Sequence, residues 1–263
     1  MTSAEFQEKN RDYAHTNDRT LVIKELDGGV RLFVDLADHV IGLNIVRGRY
    51  EADEIAFARR VLQPGDTAID VGAHIGFFTM LLAAAVGRTG HVYAFEPFEA
   101  NADLLERSVA ENHFDDRVTF QRAAAGAESG SATLTFPVET LNSGGAYLLR
   151  SGDHPLAGNQ KTNVPVITLD SLTLRRPVRL IKMDVEGAEP QVIRGAERLL
   201  RDDRPTILSE LHPTQLQRAS GVTADAFLTQ MRALGYRAQS IDGAPIDAAP
   251  VDALVSIVLV PSS

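Results

Sequence analysis

The stretch Asp70-Val71-Gly72-Ala73-His74-Ile75-Gly76 decides the fold class of this sequence. It begins in a short apolar segment, residues 67–72, and leads into a longer one, residues 75–86, which is typical of a strand turning into a helix. Ligands of open α/β sheets bind at the carboxyl ends of strands, where this turn would lie. Gly72 and Gly76 would let the backbone approach a ligand, because a side chain at either position would fill that space.

Strand and helix patterns alternate on both sides of this turn. Strands joined by helices lie parallel, and continuous apolar runs suit strands that are covered on both faces. The last two strands fit an antiparallel hairpin. The sequence therefore predicts an α/β, Rossmann-like, doubly wound and mostly parallel sheet of seven strands with an antiparallel last strand. The predicted strands are 67–72, 91–97, 118–124, 179–187, 206–212, 236–241 and 255–260, and the predicted helices are 51–62, 75–86, 99–111, 191–200 and 224–234.

Two regions depart from the alternation. The N-terminal region, residues 1–50, predicts a β cap with strands at 21–26, 30–36 and 42–48 and a hairpin turn at Asp27-Gly28-Gly29. Residues 127–175 break the pattern with a Gly-rich segment and a polar loop, and we interpret them as an insertion near the ligand. Residues 51–263 are expected to form one compact ligand-binding domain.

Composition and charge exclude several classes of function. The net charge of -9 repels phosphate backbones, so we expect no nucleic-acid partner. The chain contains no cysteine, which excludes thiol nucleophiles and thiolate metal sites. The first twenty residues contain no apolar core of a signal peptide, and no segment approaches the roughly 18 apolar residues of a membrane span. A cytoplasmic protein without a membrane span is expected.

The glycine spacing favours one cofactor over another. A dinucleotide site needs G-x-G-x-x-G to hold a pyrophosphate, but the second and third glycine positions after Gly72 are His74 and Phe77. An S-adenosylmethionine site tolerates Asp-x-Gly-x-x-x-Gly, which begins here at Asp70. Glu96 ends the second strand, where a carboxylate can accept hydrogen bonds from both ribose hydroxyls. Taken singly, Asp70 could cap the helix and Glu96 could be a solvated strand end, but their combination predicts S-adenosylmethionine.

Seven motifs, met in one order along the chain, carry a family likeness. They are RYEADE (49–54), PGDTAIDVGAHIGFFT (64–79), YAFEPFEAN (93–101), LNSGGAYL (141–148), VPVITLDSL (164–172), IKMDVEGAEPQVIRGA (181–196) and LSELH (208–212). With them the chain resembles the FkbM family of S-adenosylmethionine-dependent methyltransferases. The resemblance implies the class I methyltransferase fold and O-methylation of a hydroxyl on a small molecule, such as a natural product, a sugar or a glycolipid. Carboxylate methylation is the alternative.

The resemblance also implies a set of cofactor-binding residues. It places Tyr50 and Glu51 beside the methionine end of the cofactor and Asn142 with Gly144 near the substrate, although an aromatic core residue and a simple turn are equally good interpretations. The family commonly has Asn where His74 stands, and an imidazole can still donate a hydrogen bond. The predicted cofactor-binding residues are Tyr50, Glu51, Asp70, Gly72, Ala73, His74, Gly76, Glu96, Pro97, Asn142 and Asp184.

The catalytic candidates lie at the ends of two predicted strands. Period-two alternation sends Lys182, Asp184 and Glu186 to one side if the strand extends that far. It likewise sends Glu210 and His212 to one side. His212 is the first candidate for the general base because of its pKa near neutrality, and Asp184 is the second. Lys182 could simply pair with Asp184, and His212 could be a surface residue. If Asp184, Glu210 and His212 meet, they could bind a divalent cation such as Mg²⁺.

Other functions stay open at this stage. One is an NAD(P)-dependent oxidoreductase, although the glycines of the G-x-G-x-x-G motif are missing. Another is a nucleic-acid methyltransferase, which the negative net charge disfavours. The third is a non-catalytic binding module. The identity of the acceptor cannot be derived, because loops such as 127–165 vary without a readable code. A homodimer is expected only by analogy with other N-terminal β elements.

Overall fold

The computed structural model describes residues 13–15, 20–137, 143–247 and 253–262. Strands and helices are numbered here in chain order. The strands are β1 Tyr13–His15, β2 Leu21–Leu26, β3 Val30–Asp35, β4 Thr67–Val71, β5 His91–Phe95, β6 Val118–Gln121, β7 Ala124–Ala125, β8 Gly130–Pro137, β9 Tyr147–Leu149, β10 Asn159–Ile167, β11 Val178–Met183, β12 Thr206–Leu211, β13 Tyr236–Ser240 and β14 Val255–Pro261. The α-helices are α1 Gly42–Val46, α2 Ala52–Val61, α3 Phe77–Val86, α4 Glu99–Glu111, α5 Glu189–Arg194, α6 Glu197–Asp203, α7 Pro213–Ser220 and α8 Ala224–Ala233.

A seven-stranded sheet forms the centre of the fold, in the order β13-β14-β12-β11-β4-β5-β6. Every pairing between β12 and β6 is parallel, whereas β14 is antiparallel to both of its neighbours. The predicted doubly wound sheet with an antiparallel last strand is therefore confirmed. All five residues of β4 and all five of β5 are buried, as the continuous apolar runs require for strands covered on both faces.

Two apolar layers enclose this sheet. One contains α3, whose residues are apolar along nearly their whole length, together with the N-terminal strands. The other contains α5 to α8 and the opposite face of the same strands. No described helix combines the length and the apolarity that crossing a membrane requires.

The N-terminal strands β1 to β3 form a separate antiparallel sheet that packs on α4. Ser108 Oγ accepts a 3.0 Å hydrogen bond from Phe33 N, which ties the two elements together. The predicted strand at 42–48 is wrong, because this segment contains the short helix α1. Asp38 Oδ1 accepts hydrogen bonds from Val40 N and Ile41 N and so folds the chain into a turn that leads into the helix.

The insertion is more regular than the sequence indicated. Together with β7 its strands form a second sheet in the order β7-β10-β8-β9, in which β8, β9 and β10 were not predicted. The predicted strand 118–124 is divided, because β6 stays in the large sheet while β7 pairs with β10 in the small one. The predicted helix 191–200 is likewise two helices that meet near Gly195, and α7 was missed.

Candidate active site

A cavity of about 280 Å³ lies at the carboxyl ends of β4, β5 and β11. This is where the topology of a doubly wound sheet places its ligand. The small sheet of the insertion closes one side through Leu134, Ala146, Tyr147 and Leu148. The site therefore combines the strand ends of the large sheet with a wall from the insertion.

The glycines of the first turn hold neighbouring elements close to one another. A Cβ on Gly72 would overlap the carbonyl oxygen of Asp184, and one on Gly76 would lie 2.9 Å from Leu105 Cγ. Both have a left-handed backbone, with φ of 79° and 90°. From the sequence we expect these glycines to leave room for a ligand, but their close approach to Asp184 after β11 and to Leu105 of α4 also requires them. Gly72 also lines the cavity.

Glu96 is the best-fixed polar group of the cavity. Its Oε2 accepts a 2.8 Å hydrogen bond from His74 N and its Oε1 a 2.8 Å bond from Phe98 N. Burial raises the pKa of this carboxyl to about 7, although both backbone donors oppose that shift. The carboxylate thus bridges the turns after β4 and β5 and presents its remaining lone pairs to the cavity.

The other predicted cofactor residues divide into two groups. Tyr50, Glu51, His74, Pro97 and Asp184 line the cavity, as does Gly144. Asp70 lies beneath it, is 1% exposed and accepts a 2.5 Å hydrogen bond from Thr79 Oγ1. Ala73 and Gly76 support the turn from below, since Ala73 N donates to Phe95 O. Asn142 lies outside the described residues.

Lys182 is a buried cation surrounded by carboxylates. It is 3% exposed, and its Nζ lies 3.6 Å from both Glu51 Oε2 and Asp184 Oδ2. The ammonium group also lies 4.9 Å from the centroid of the Phe78 ring. Burial alone would lower the pKa of Lys182, but the neighbouring carboxylates outweigh it and hold the pKa above its usual value. Lys182 therefore remains protonated across the physiological range.

Three of the four predicted catalytic residues come together here. Lys182, Asp184 and Glu210 form one cluster with Glu51, and the charge of Asp184, followed by burial, raises the pKa of Glu210 to about 8. His212 is not among the described residues that line the cavity. It lies at the N-cap of α7, and its buried Nδ1 has no hydrogen-bond partner in the described part of the chain.

The carboxylates that could hold a cation differ from the predicted set by one residue. Oxygen atoms of Glu51, Asp184 and Glu210 lie within 4.8 Å of one another, so Glu51 takes the place assigned to His212. Three carboxylates can coordinate a hard divalent cation. The ammonium group of Lys182 already compensates two of them, and a divalent cation would have to bind beside that charge.

Strained backbone is concentrated at this cavity. Glu51, His74 and Glu186 have φ values of 45°, 53° and 53°, which side chains other than glycine rarely adopt. All three line the cavity. Such a conformation costs about 1–3 kcal/mol and persists where the surroundings enforce it, often at functional sites. The alternation placed Glu186 on the side of Lys182 and Asp184, but Glu186 was not among the predicted site residues, because it could equally belong to the start of the next helix.

Comparison with known proteins decides the family. The description "Methyltransferase FkbM domain" matches residues 70–238 of this chain, which is more than half of it. The chain belongs to the FkbM methyltransferase family. The resemblance seen in the sequence is therefore confirmed. The matched family is one of methyltransferases and not of oxidoreductases.

Two curated relatives share part of this sequence. The 31-O-demethyl-FK506 methyltransferase FkbM of Streptomyces tacrolimicus is 30% identical over 162 residues, which cover 52% of this chain and 61% of the relative. Methyltransferase 1 of Beauveria bassiana is 31% identical over 152 residues, covering 51% and 60%. The match thus spans about three fifths of the length of these relatives.

A solved structure supports the fold. The crystal structure of a putative rRNA-methylase from Clostridium thermocellum superimposes with a TM-score of 0.50 at 12% identity, covering 80% of this chain and 94% of that one. At this identity the likeness concerns the class I methyltransferase fold alone. Of the residues that form the cavity, Tyr50 and Glu51 precede the family match, whereas Glu96, Asp184 and Glu210 lie within it.

Proposed function

We propose that this FkbM-family methyltransferase transfers the methyl group of S-adenosylmethionine to a hydroxyl oxygen of a small molecule. The observation that carries the proposal is the fixed carboxylate of Glu96 at the end of β5, which faces the cavity beside the Gly72 turn. A carboxylate at this point of a doubly wound sheet accepts the two hydroxyls of a ribose. The relative from Streptomyces tacrolimicus is named for a transfer to oxygen.

The cavity offers each part of the cofactor a suitable surface. Glu96 would hold the ribose, and the small apolar side chains of Ala124 and Ala125 would contact the adenine. Tyr50 and Glu51 would lie at the methionine end, where carboxylates attract the amino group and the sulfonium. When bound, the cofactor supplies an electrophilic methyl carbon, and the acceptor oxygen displaces the sulfur from it.

The chain's own task is to align the acceptor and to remove its proton. Glu210 is our candidate for the base, because it lines the cavity and its raised pKa of about 8 suits proton transfer near neutral pH. Lys182 would fix the positions of Glu51 and Asp184 from below. His212 stays a prediction as the alternative base, since it lies one residue beyond β12 and is not among the described residues that line the cavity.

The charge of the cavity favours a hydroxyl acceptor over a carboxylate. Glu51, Asp184, Glu186 and Glu210 all line it, whereas Lys182 lies beneath them. A carboxylate acceptor would lie at short range from these acidic groups, which disfavours its ionised form. The homodimer, the cytoplasmic location, the lack of a nucleic-acid partner and the predicted domain boundaries stay predictions.

Isothermal titration with S-adenosylmethionine and with NADH tests the proposed cofactor. We expect micromolar affinity for S-adenosylmethionine in the wild-type protein and a loss of at least about tenfold in Glu96→Ala, because hydrogen bonds to a charged group contribute about 1.5–3 kcal/mol. Glu99→Ala is the matched control, since Glu99 is exposed at the start of α4 and lies outside the cavity lining. A preference for NADH would refute the proposal.

The acceptor class needs a second measurement. A panel of neutral hydroxyl compounds and their amine and carboxylate counterparts is incubated with S-adenosylmethionine, and the methylated product is located by mass spectrometry. We expect methyl transfer to hydroxyl compounds. Methylation of the amines or carboxylates alone would contradict the proposed O-methylation of hydroxyls while leaving the cofactor assignment intact.

A further inference from the structure

A second cavity of about 390 Å³ adjoins the first. The two share four lining residues, Ile41, Gly144, Tyr147 and Glu186. The second cavity opens on the side of the insertion and the N-terminal element, away from Glu96. A molecule held there would therefore approach the first cavity at its acidic end and not at its ribose end.

Exposed apolar surface is concentrated at this second cavity. Among the described residues, three large apolar side chains are exposed, namely Val40 at 46%, Leu156 at 49% and Leu254 at 52%. Val40 and Leu156 both line the second cavity, whereas Leu254 lines neither cavity. Apolar side chains that flank a concave site mark it for ligand binding, because they gain from removal of water. Ile41 and Pro137 extend the same apolar wall.

The polar lining of the second cavity carries little net charge. Glu186 and Arg218 are its charged residues in the described lining, and Gln215 and Asn159 are neutral. The Gln215 amide donates a hydrogen bond to the Glu186 carboxylate, and the Arg218 guanidinium lies 5.5 Å from the centroid of the Tyr147 ring. These partners leave the cavity suited to a neutral ligand with hydrogen-bonding groups.

The junction between the cavities is rigid. Glu186 is held in its left-handed conformation, and a Cβ on the following Gly187 would overlap the backbone of Gln215. Helix α7 thus packs against the segment that carries Glu186, which is the one carboxylate shared by both cavities among the residues that the structure describes. A hydroxyl that reaches from the second cavity into the first passes this group, which can orient it by a hydrogen bond.

We propose that the second cavity binds the methyl acceptor, and that this acceptor is a neutral amphipathic molecule. Its apolar ring or chain contacts Val40 and Leu156, and Glu186 orients its hydroxyl toward the first cavity. This inference rests on the proposed function, because it takes the first cavity as the cofactor site. It adds the location of the acceptor, its chemical class and the residues that select it.

A fluorescent probe tests this assignment without knowledge of the natural acceptor. The probe is 4-methylumbelliferyl β-D-glucoside, which joins an apolar ring to neutral sugar hydroxyls, and its binding is followed by fluorescence anisotropy with S-adenosylhomocysteine at saturation. 4-Methylumbelliferyl β-D-glucuronide differs from it by one carboxylate and serves as the charged counterpart. The variants are Val40→Asp and Leu156→Asp, and Leu254→Asp is the matched control at an equally exposed apolar residue.

We expect the affinity for the probe to differ between the cavity variants and the control variant, and between the two probes. Val40→Asp and Leu156→Asp each weaken binding of the glucoside about tenfold or more, since a carboxylate in an apolar contact must be desolvated. Leu254→Asp binds it as the wild-type protein does, and the glucuronide binds the wild-type protein more weakly than the glucoside. All four proteins bind S-adenosylhomocysteine with the same affinity.

Three results would overturn the proposal. They are the lack of binding of the glucoside to the wild-type protein, an equal effect of Leu254→Asp, and displacement of S-adenosylhomocysteine by the probe. Each leaves the cofactor assignment untouched as long as S-adenosylhomocysteine itself binds. Failure of the wild-type protein to bind S-adenosylhomocysteine would instead refute the proposed function, so the two failures are distinguishable.

Discussion

The proposed cofactor side and the proposed acceptor side of this FkbM-family protein are built from different parts of the chain. The ribose end of the proposed cofactor side comes from one continuous segment, residues 70–98, in which Glu96 and the Gly72 turn follow adjacent strands. The acceptor side is assembled from the N-terminal element, the insertion and α7, which contribute Val40, Leu156 and Gln215. A site formed within one βαβ unit leaves a readable local pattern, whereas a site formed by distant segments does not.

Substitution within the charged cluster of Lys182, Glu51, Asp184 and Glu210 should have the largest effect on stability and activity. Lys182→Met removes a buried cation and leaves the carboxylates of Glu51 and Asp184 without it. Breaking a buried ion pair in this way costs about 3–5 kcal/mol. We expect a decrease of that size in the free energy of unfolding, measured by urea denaturation, together with loss of methyl transfer.

A matched control and a rescue make this first prediction specific. Lys161→Met changes an exposed lysine of β10 and should leave stability within about 0.5 kcal/mol of the wild-type value. Adding Glu51→Gln to Lys182→Met removes one of the uncompensated charges, so the double variant should be more stable than Lys182→Met alone. Equal stability of the two would show that the cluster is not electrostatically coupled.

The second prediction concerns the base on the acceptor-facing end of the cluster. Glu210→Gln should lower turnover about 10²–10⁴-fold, the usual contribution of a general base. Because the base must be deprotonated, wild-type activity should rise as the pH increases through about 8, the pKa to which the charge of Asp184 and burial raise Glu210. Steady-state rates between pH 6 and 10 check this, and Glu210→Gln should lose that limb of the profile.

His212→Asn separates the two candidate bases. His212 lies beyond the described lining of the cavity, so its replacement should change turnover by less than about tenfold. A large loss in His212→Asn with little loss in Glu210→Gln would reverse the assignment in favour of the histidine that the sequence suggested.

The third prediction concerns the turn on the cofactor side. Gly72→Ala should destabilise the protein by about 2–5 kcal/mol, because the left-handed backbone costs about 1–2 kcal/mol and the overlap with the Asp184 carbonyl adds about 1–3 kcal/mol. Gly28→Ala is a matched control in the hairpin, with φ of 82° and no atom within 4 Å of the added Cβ. It should show the backbone contribution alone, and equal losses would mean that the close approach at Gly72 is of no consequence.

Local patterns in the sequence predicted part of the fold and of the site, whereas contacts between distant segments were not predictable. The large sheet was predictable because apolar periodicity and glycine turns act locally, and Glu96 was found from its place at a strand end. The segment 42–48 was predicted wrongly because a side-chain turn at Asp38, just before it, leads the chain into a helix despite its strand-like apolar residues. The alternation grouped Glu186 with Lys182 and Asp184, but its hydrogen bond with Gln215 of α7 was not predictable, because the two residues are close only in the folded chain.

The smallest expected effect concerns Asp38, whose substitution tests whether the N-terminal element shapes only the proposed acceptor side. Asp38 Oδ1 shapes the turn that carries Val40 and Ile41, both of which line the second cavity. Asp38→Ala should cost about 1 kcal/mol, as the loss of a comparable capping group does, whereas Asp38→Asn keeps the accepting oxygen and should restore most of it. If the two sides are independent, Asp38→Ala weakens binding of the umbelliferyl glucoside and leaves the affinity for S-adenosylhomocysteine unchanged. A parallel loss of both affinities would instead mean that the N-terminal element shapes the two cavities together, since Ile41 lines both of them.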